Sequence, residues 1–291
     1  SDEYRGILDQ IRELIRILSE PDALMEVIRE ELTAVRDQFG DPRRTEIIAD
    51  YEDLSMEDLI AEEDRVVTLS REGYIKTQSL TDYRSQRRGG RGKASTRMKD
   101  EDVIEQLLVA STHAWVLMFT NYGRVYWRKV YQLPQGARGA RGRPVVNVLP
   151  LQDGEHINTM LPIREFVDDH YIFFATQNGQ VKKTPLVDFS RPRQAGIIAI
   201  DLREGDELVG ATLISPEQNL LLVTRKAMSI CFKANDEQLR PMGRATEGVR
   251  GISLADDDAL LSMIVVTEGV DVLVATEGGY AKRTGIEHYP E

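Results

Sequence analysis

The residues best suited to chemistry lie in a run of arginine and glycine at positions 86–93. The run holds four cations within eight residues, and its three glycines leave no side chain to keep a large anion away from the backbone. Because glycine also frees φ, consecutive N–H groups can turn toward one anionic surface. A phosphate backbone suits this chemistry best, although a solvated loop can have the same composition. The candidate anion-binding residues are Gln86, Arg87, Arg88, Gly89, Gly90, Arg91, Gly92 and Lys93.

Three further loops combine arginine with glycine, at positions 136–143, 191–196 and 240–251. We call them loops 2, 3 and 4, and the run at 86–93 loop 1. A basic loop that recurs at one structural position predicts a row of cations along one rim, which suits a curved polyanion. Turn formation alone would also explain the glycines. The candidate rim residues in and beside these loops are Arg97, Arg138, Arg141, Arg143, Arg191, Arg193, Arg240, Arg244 and Arg250.

The basic charge is concentrated in one part of the chain. The 291 residues have a formal net charge of -11. Residues 1–64 carry 7 basic and 20 acidic side chains, residues 65–143 carry 16 and 6, and residues 144–291 carry 14 and 22. The middle part, which contains loops 1 and 2, therefore has a net charge of +10. Such segregation is expected of a localised polyanion site.

An internal repeat organises the chain after residue 64. Each copy has an apolar strand, a tight turn and a second strand that alternates with basic residues, which predicts a β-hairpin. The five predicted hairpins are 66–76, 116–126, 172–182, 220–230 and 272–282, with Gly73, Gly123, Gly179, Ala227 and Gly279 in the turns. Their second strands add candidate rim cations that would equally suit a solvent-facing strand: Lys76, Arg124, Arg128, Lys129, Lys182, Lys183, Lys233, Lys282 and Arg283.

An acidic cluster and another apolar strand follow each of the first four hairpins. A unit of about fifty residues with roughly four short strands has the size of a propeller blade. The sequence therefore predicts a mainly β, propeller-like fold of about five four-stranded blades, the last of them incomplete. The acidic clusters match no calcium or zinc spacing, so we assign them to turns and name no metal ligand.

Two amphipathic α-helices are predicted before the repeats. Apolar residues recur at steps of three and four over positions 4–18 and again over 22–39, with Pro21 between the two stretches. Each apolar stripe needs a partner surface, because neither helix is stable alone in water. We expect a helical segment at 1–45, an acidic linker at 46–63 and a β domain at 64–291.

Several function classes have no support in the sequence. No apolar run has the length of a membrane span, and the acidic start differs from the basic start of a signal peptide. The single cysteine, Cys231, lies in an apolar strand and suits a buried position in a reducing compartment. The chain contains no G-x-x-x-x-G-K-[ST] loop and no nucleophile elbow. We therefore expect a soluble, cytoplasmic protein and assign no catalytic residue.

Nearly the whole sequence resembles the C-terminal portion of bacterial DNA gyrase A, one of the two chains of a type IIA DNA topoisomerase. Loop 1 is similar to the signature box that separates gyrase from topoisomerase IV, with Arg91 where that family often has lysine. Residues 2–45 resemble the end of the breakage-reunion domain, whose helices carry the exit gate. Residues 64–291 resemble the DNA-wrapping domain, which is a β-pinwheel.

The resemblance implies that the β domain wraps duplex DNA around its rim and supports ATP-dependent negative supercoiling. It implies an A2B2 complex with gyrase B and the rest of gyrase A, with ATP and Mg in that complex and no cofactor in this chain. The box function falls on residues 86–93. Two alternatives remain open: a propeller-like scaffold that binds an acidic protein, and a topoisomerase IV-like domain that bends DNA without full wrapping.

Overall fold

A computed structural model describes residues 2–41, 44–45, 56–82, 102–137 and 139–289. The chain divides into two compact units, Ser1–Asp53 and Leu54–Glu291. In the described residues the first unit is helical, and the second consists of β-strands joined by turns and short 3₁₀ helices.

Two helices form the first unit, α1 (Asp2–Ser19) and α2 (Pro21–Phe39). Both cover the stretches in which the sequence predicts amphipathic helices. Pro21 occupies the first turn of α2, where its missing N–H leaves no helical hydrogen bond unmade. Apolar side chains on both helices are exposed, including Leu14 at 60% and Leu32 at 64%. Contact between α1 and α2 therefore does not cover the two apolar stripes.

The second unit contains 17 strands in its described part, arranged in five antiparallel sheets that we call blades 1 to 5. Each predicted hairpin supplies two adjacent strands of one blade. The strands are β1 (Asp64–Ser70), β2 (Tyr74–Ser79), β3 (Ile104–Ser111), β4 (Trp115–Thr120), β5 (Arg124–Lys129), β6 (Arg143–Pro144), β7 (Ile157–Ile163), β8 (Tyr171–Thr176), β9 (Gln180–Pro185), β10 (Ile197–Ile198), β11 (Leu208–Ile214), β12 (Asn219–Thr224), β13 (Ser229–Lys233), β14 (Val249–Arg250), β15 (Leu260–Val265), β16 (Asp271–Ala275) and β17 (Ala281–Gly285).

Blades 1 to 3 share one strand order. In each, the strand after the acidic cluster pairs with the first hairpin strand, and the second hairpin strand pairs on its other side with a two-residue strand. That fourth strand comes from the following repeat, because β6 joins blade 1, β10 joins blade 2 and β14 joins blade 3. The predicted mainly β, pinwheel-type fold is confirmed, and an exchanged strand links each of these blades to the next repeat.

The predicted count of four strands holds for blades 1 to 3 only. Among the described residues, blade 4 has three strands (β15, β12 and β13) and blade 5 has two (β16 and β17). Neither blade has a described strand on the far side of its second hairpin strand, the side that we call the outer edge, and blade 5 also has no described strand beside its first hairpin strand. The incomplete last blade therefore matches the prediction, and the three-stranded blade 4 departs from it.

Apolar cores lie between successive blades. Alternate residues of a strand point to opposite faces, so β4 sends Val116 toward blade 1 and Leu117 toward blade 3. Phe119 packs edge-on against Phe174 of blade 3, with the ring centroids 5.3 Å apart. A third cluster joins blades 3 and 4, and a smaller one that includes Cys231 joins blades 4 and 5. Cys231 is buried, as its apolar surroundings predict.

The end of the predicted acidic linker contacts the β unit. The Thr112 N–H donates to the Glu63 carbonyl at 2.9 Å, and Thr112 Oγ1 donates to the Ala61 carbonyl at 3.0 Å. Glu57 accepts a hydrogen bond from Lys129 Nζ at 2.8 Å. Residues 57–63 are therefore attached to the first two blades, whereas residues 46–55 lie outside the described part of the chain.

Candidate nucleic-acid interface

Loops 2, 3 and 4 meet the β unit at equivalent places. Loop 2 runs into β6, loop 3 runs into β10, and loop 4 contains β14. Each of these two-residue strands is the outermost strand of the preceding blade. The three basic loops therefore recur at one structural position along the outer edge of the blades, as the repeat predicts.

The same backbone hydrogen bond attaches each loop to the hairpin turn of the preceding blade. The donor is the N–H three residues after a loop glycine, and the acceptor is the carbonyl of the turn glycine, which has a positive φ. Glycine is required where loop and blade approach, because a Cβ on Gly142 would lie 2.7 Å from the Ile75 carbonyl oxygen. The three bonds, each 2.8 Å long, run from Val145 to Gly73, from Ala199 to Gly123 and from Gly251 to Gly179.

Arginines from these loops and from β5 line three adjoining clefts. Because Arg128 and Arg193 each line two clefts, five arginines form one continuous series, which we call the arginine row. Among the described residues, Asp188 is the one acidic side chain that lines any of the three clefts. The first cleft, of about 590 Å³, is lined by Arg143 and Arg128; the second, of about 410 Å³, by Arg128 and Arg193; and the third, of about 650 Å³, by Arg193, Arg124 and Arg244.

Backbone carbonyls orient two members of the arginine row. Arg128 donates to the Trp127 carbonyl at 2.8 Å and to the Val148 carbonyl at 2.7 Å. Burial lowers the pKa of the Arg128 guanidinium, which still remains charged at neutral pH. Arg124 Nη2 donates to the Ala195 carbonyl of loop 3 at 2.8 Å. These bonds hold the charges in place before any ligand arrives, which reduces the entropy lost on binding.

Three of the predicted rim cations are buried. Lys76, Lys182 and Lys183 are each at most 1% exposed. Lys76 Nζ donates to the Ala140 carbonyl at 2.8 Å, and Lys183 Nζ donates to the Ala234 carbonyl at 2.7 Å. The prediction that these three lysines contact a polyanion directly is therefore wrong. The physical reason is that segments of the following repeat cover the outer edge of each hairpin, where an isolated hairpin would face solvent.

Acidic side chains close the hairpin turns. A carboxylate from three of the four predicted acidic clusters accepts a hydrogen bond from a backbone N–H in the turn of the same repeat. In the described part of the chain, no three His, Cys, Asp or Glu side chains are grouped as metal ligands. The bonds run from Glu72 to Asp102 at 3.1 Å, from Asn178 to Asp206 at 3.0 Å and from Lys226 to Asp258 at 3.1 Å.

A family model described as the DNA gyrase C-terminal domain, a beta-propeller, matches the repeats. The matched segments are residues 64–111, 114–164, 170–215, 218–267 and 271–291. The chain belongs to this family. The five segments coincide with the five repeats read from the sequence, and the resemblance to gyrase A is confirmed.

Relatives of the gyrase family cover almost all of this chain. DNA gyrase A of Salmonella typhimurium is 53% identical over 289 residues, which are 99% of this chain and 33% of the relative. DNA gyrase A of Streptomyces coelicolor is 49% identical over 292 residues, which are 99% of this chain and 34% of the relative. The chain thus spans about one third of the length of these curated relatives.

Two solved structures have the same fold as the gyrase-family unit. The C-terminal domain of DNA topoisomerase IV aligns with a TM-score of 0.66 at 28% identity, covering 80% of this chain and 70% of that one. The C-terminal domain of DNA gyrase A aligns with a TM-score of 0.61 at 28% identity, covering 77% of this chain and 72% of that one. Among the described residues, neither α1 nor α2 has the length and apolar character that a membrane-spanning helix needs.

The gyrase-type box lies outside the described residues. This applies to all of positions 86–93, and also to Arg97 and Arg138. Their assignment to DNA contact stays a prediction, and the arginine row is built without them.

The remaining candidate cations differ in their contacts. Four are exposed on loops 3 and 4 or on β17, namely Arg191, Arg240, Arg250 and Lys282. Three others form ion pairs and would have to release a carboxylate before binding phosphate: Lys129 with Glu57, Lys233 with Glu217 and Arg283 with Asp271. Arg141 lies over the Tyr74 ring at 4.5 Å from its centroid, a cation–π contact, and its Nη1 donates to the Tyr74 hydroxyl at 3.4 Å.

Sequence reasoning missed the uncharged residues that line the clefts beside the arginines. Gln132, Asn147 and Gln194 line the first two clefts, and Pro192 lines the second. Amides can donate hydrogen bonds to phosphate oxygens without adding charge. Gln194 and Pro192 could have been predicted from their position, because they flank Arg193 in loop 3. Nothing in the sequence indicates Asn147.

Proposed function

We propose that this chain binds and wraps duplex DNA along the arginine row. The observation that carries the proposal is the continuity of the row, which runs through three adjoining clefts at the outer edge of the blades. Membership of the gyrase C-terminal domain family supports DNA as the polyanion. Guanidinium groups suit phosphate because each can donate two parallel hydrogen bonds to its oxygens.

Wrapping requires many contacts rather than one strong site. Bending 20–30 base pairs by 40–90° costs on the order of 1–6 kcal/mol. A hydrogen bond to a charged group contributes about 1.5–3 kcal/mol, so several arginines acting together can offset the bend. Because the contacts go to phosphate, we expect weak sequence preference and a bias toward flexible DNA.

In the complete enzyme, the wrapped segment would be presented to the DNA-cleaving part of gyrase A for negative supercoiling. This chain would act there in an A2B2 complex with gyrase B, in the bacterial cytoplasm. ATP and Mg²⁺ would act elsewhere in that complex, and we assign no catalytic residue to this chain. Similarity over 99% of this chain to DNA gyrase A relatives supports this placement.

The test is a variant that removes one arginine from each cleft, Arg143→Ala, Arg193→Ala and Arg244→Ala combined. We expect the affinity for duplex DNA to fall about 1,000-fold, since each loss of about 1.4 kcal/mol is tenfold. The slope of log K against log salt should fall by about 2.7, because each phosphate contact contributes about 0.9. Fluorescence anisotropy with a labelled duplex over a salt series measures both quantities.

The matched control is Arg164→Ala. The Arg164 side chain is 75% exposed and lines none of the three clefts, so its removal should leave affinity and salt slope nearly unchanged. If the triple variant binds duplex DNA as tightly as the parent, the arginine row is not the interface.

Closing a nicked circular DNA with ligase in the presence of the protein separates wrapping from the alternatives. A change of one sign in linking number supports wrapping. Binding without such a change would favour the topoisomerase IV-like alternative, which the TM-score of 0.66 to that enzyme's domain makes worth testing. Preference for an acidic polypeptide over duplex DNA would favour the protein-binding scaffold.

A further inference from the structure

A buried lysine beside the third cleft links loop 4 to the segment that follows loop 3 and β10. Lys182 lies in β9 of blade 3 and is fully buried. Its Nζ donates to the carbonyl of Ala199, which follows β10, and to the carbonyl of Arg244 in loop 4, both at 2.6 Å. The carbonyls of Gly243 and Thr246 lie 3.2 and 3.3 Å from the same atom. One amino group therefore contacts the backbone of Arg244, which lines the third cleft, and the residue that follows Ile198, which also lines it.

The turn in loop 4 is closed around this amino group. Thr246 Oγ1 donates to the Gly243 carbonyl at 2.8 Å, and the Asp201 N–H donates to the Thr246 carbonyl at 3.1 Å. The carbonyls of this turn converge on Lys182 Nζ and would lose these hydrogen bonds without it. A buried carbonyl that lacks a donor costs about 1–3 kcal/mol of stability. Backbone hydrogen bonds hold both ends of loop 4, and the Lys182 amino group holds the turn at 243–246 between them.

Equivalent contacts recur in the other complete blades. Lys76 lies three residues after the turn glycine of blade 1, as Lys182 does in blade 3, and donates to Ala140 in loop 2. Blade 2 has Tyr126 at this position, and there Arg124 makes the contact to loop 3 through the Ala195 carbonyl. In blades 1 to 3, a cation of the second hairpin strand therefore contacts the basic loop of the next repeat.

We propose that Lys182 is a positioning residue for DNA binding, because it sets the separation of Arg193 and Arg244 across the third cleft. This inference rests on the proposed function, since the separation matters only if these arginines bind phosphate. Phosphates are regularly spaced along a duplex, so two arginines can contact neighbouring groups only when their own spacing is held. Lys182 is buried and adds no phosphate contact of its own.

The test is a double-mutant cycle between Lys182→Met and Arg244→Ala. Methionine keeps the approximate length of the side chain and removes the donor. We expect each single variant to lower duplex affinity about tenfold and the salt slope by about 0.9, the value of one phosphate contact. The double variant should bind no more than about threefold weaker than Arg244→Ala alone, because both changes remove the same contact.

Lys183→Met is the matched control. Lys183 is also buried in β9, but it contacts Ala234 and Asp236, which line none of the three clefts. It should leave the salt slope unchanged even if it lowers stability. A purely structural role for Lys182 predicts the same behaviour in Lys182→Met.

An unchanged salt slope in Lys182→Met, or fully additive losses with Arg244→Ala, would overturn the inference. If thermal unfolding shows that Lys182→Met does not fold, Thr246→Val replaces it in the test. That substitution removes the exposed hydrogen bond from Thr246 Oγ1 to the Gly243 carbonyl and so loosens the turn at 243–246. It should reduce the slope in the same direction, and an unchanged slope would again overturn the inference. If Arg193→Ala and Arg244→Ala themselves leave DNA binding intact, the proposed function fails instead.

Discussion

The exposed arginines of the loops and the buried lysines of the hairpins carry the same charge within the same repeat, yet their surroundings are opposite. Arg193 and Arg250 are exposed on loops 3 and 4, whereas Lys182 and Lys183 are enclosed in β9. Guanidinium groups at the surface remain available for phosphate, while the enclosed amino groups donate to backbone carbonyls. Basic residues at this edge therefore have two roles: the exposed arginines form a candidate binding surface, and the buried lysines hold the backbone beneath it.

The two groups also differ in the energetic cost of their charge. Desolvation lowers the pKa of Lys182 to about 7, although the nearby Asp201 carboxylate acts in the opposite direction. An exposed arginine incurs no such cost and stays ionised at every physiological pH. Burial is tolerable for the Lys182 side chain because a lysine, unlike an arginine, can lose its proton.

The largest effect that we expect is the loss of stability in a loop 2 variant, Gly142→Ala. This variant tests whether the loop is held tightly against its blade. Gly142 has φ of +100°, and a Cβ there would lie 2.7 Å from the Ile75 carbonyl oxygen. Gly279 has φ of +82° with open space around it. We expect Gly142→Ala to lower the free energy of unfolding by about 3 kcal/mol and Gly279→Ala by about 1 kcal/mol. Urea denaturation measures both, and equal losses would show that loop 2 can move away from its blade.

The next prediction compares the free energy of unfolding and the affinity for duplex DNA in one buried-lysine variant and one exposed-arginine variant. Lys183→Met should lower the free energy of unfolding by about 2 kcal/mol, because it leaves the buried Ala234 carbonyl without its donor. Arg193→Ala should change stability by less than about 0.5 kcal/mol, as exposed substitutions do, but should weaken duplex binding about tenfold, because Arg193 lines two of the three clefts. Thermal unfolding and anisotropy on both variants make the check. A reversed pattern would end the distinction between the two groups of cations.

The weakest effect concerns pH. The folded-state pKa of Lys182, about 7, lies below the ordinary lysine value of 10.5, so above pH 7 the unfolded chain binds more protons than the folded one. The free energy of unfolding should therefore rise with pH by about 1 kcal/mol between pH 7 and 8, and level off near the unfolded pKa. Lys182→Met should lack this rise. Urea denaturation of both proteins over this range provides the measurement, and parallel pH profiles would contradict it.

Much of the fold could be predicted because its signals are local. The hairpins follow from alternating strands and a turn residue, and even Ala227 adopts the positive φ of 63° that the aligned glycines require. The two helices follow from apolar periodicity and Pro21. The exchanged strands β6, β10 and β14 could not be predicted, because two residues with no apolar alternation carry no strand signal of their own.

For the candidate site, the amino-acid sequence was enough to establish that basic loops recur with the hairpins and that the chain resembles gyrase A. Which cations reach the surface was settled by contacts between repeats. Lys76 is enclosed by Ala140, 64 residues further along the chain, and Lys182 by Arg244, 62 residues further along. Exposure at these positions depends on the following repeat, and no local pattern around a lysine records what will later cover it.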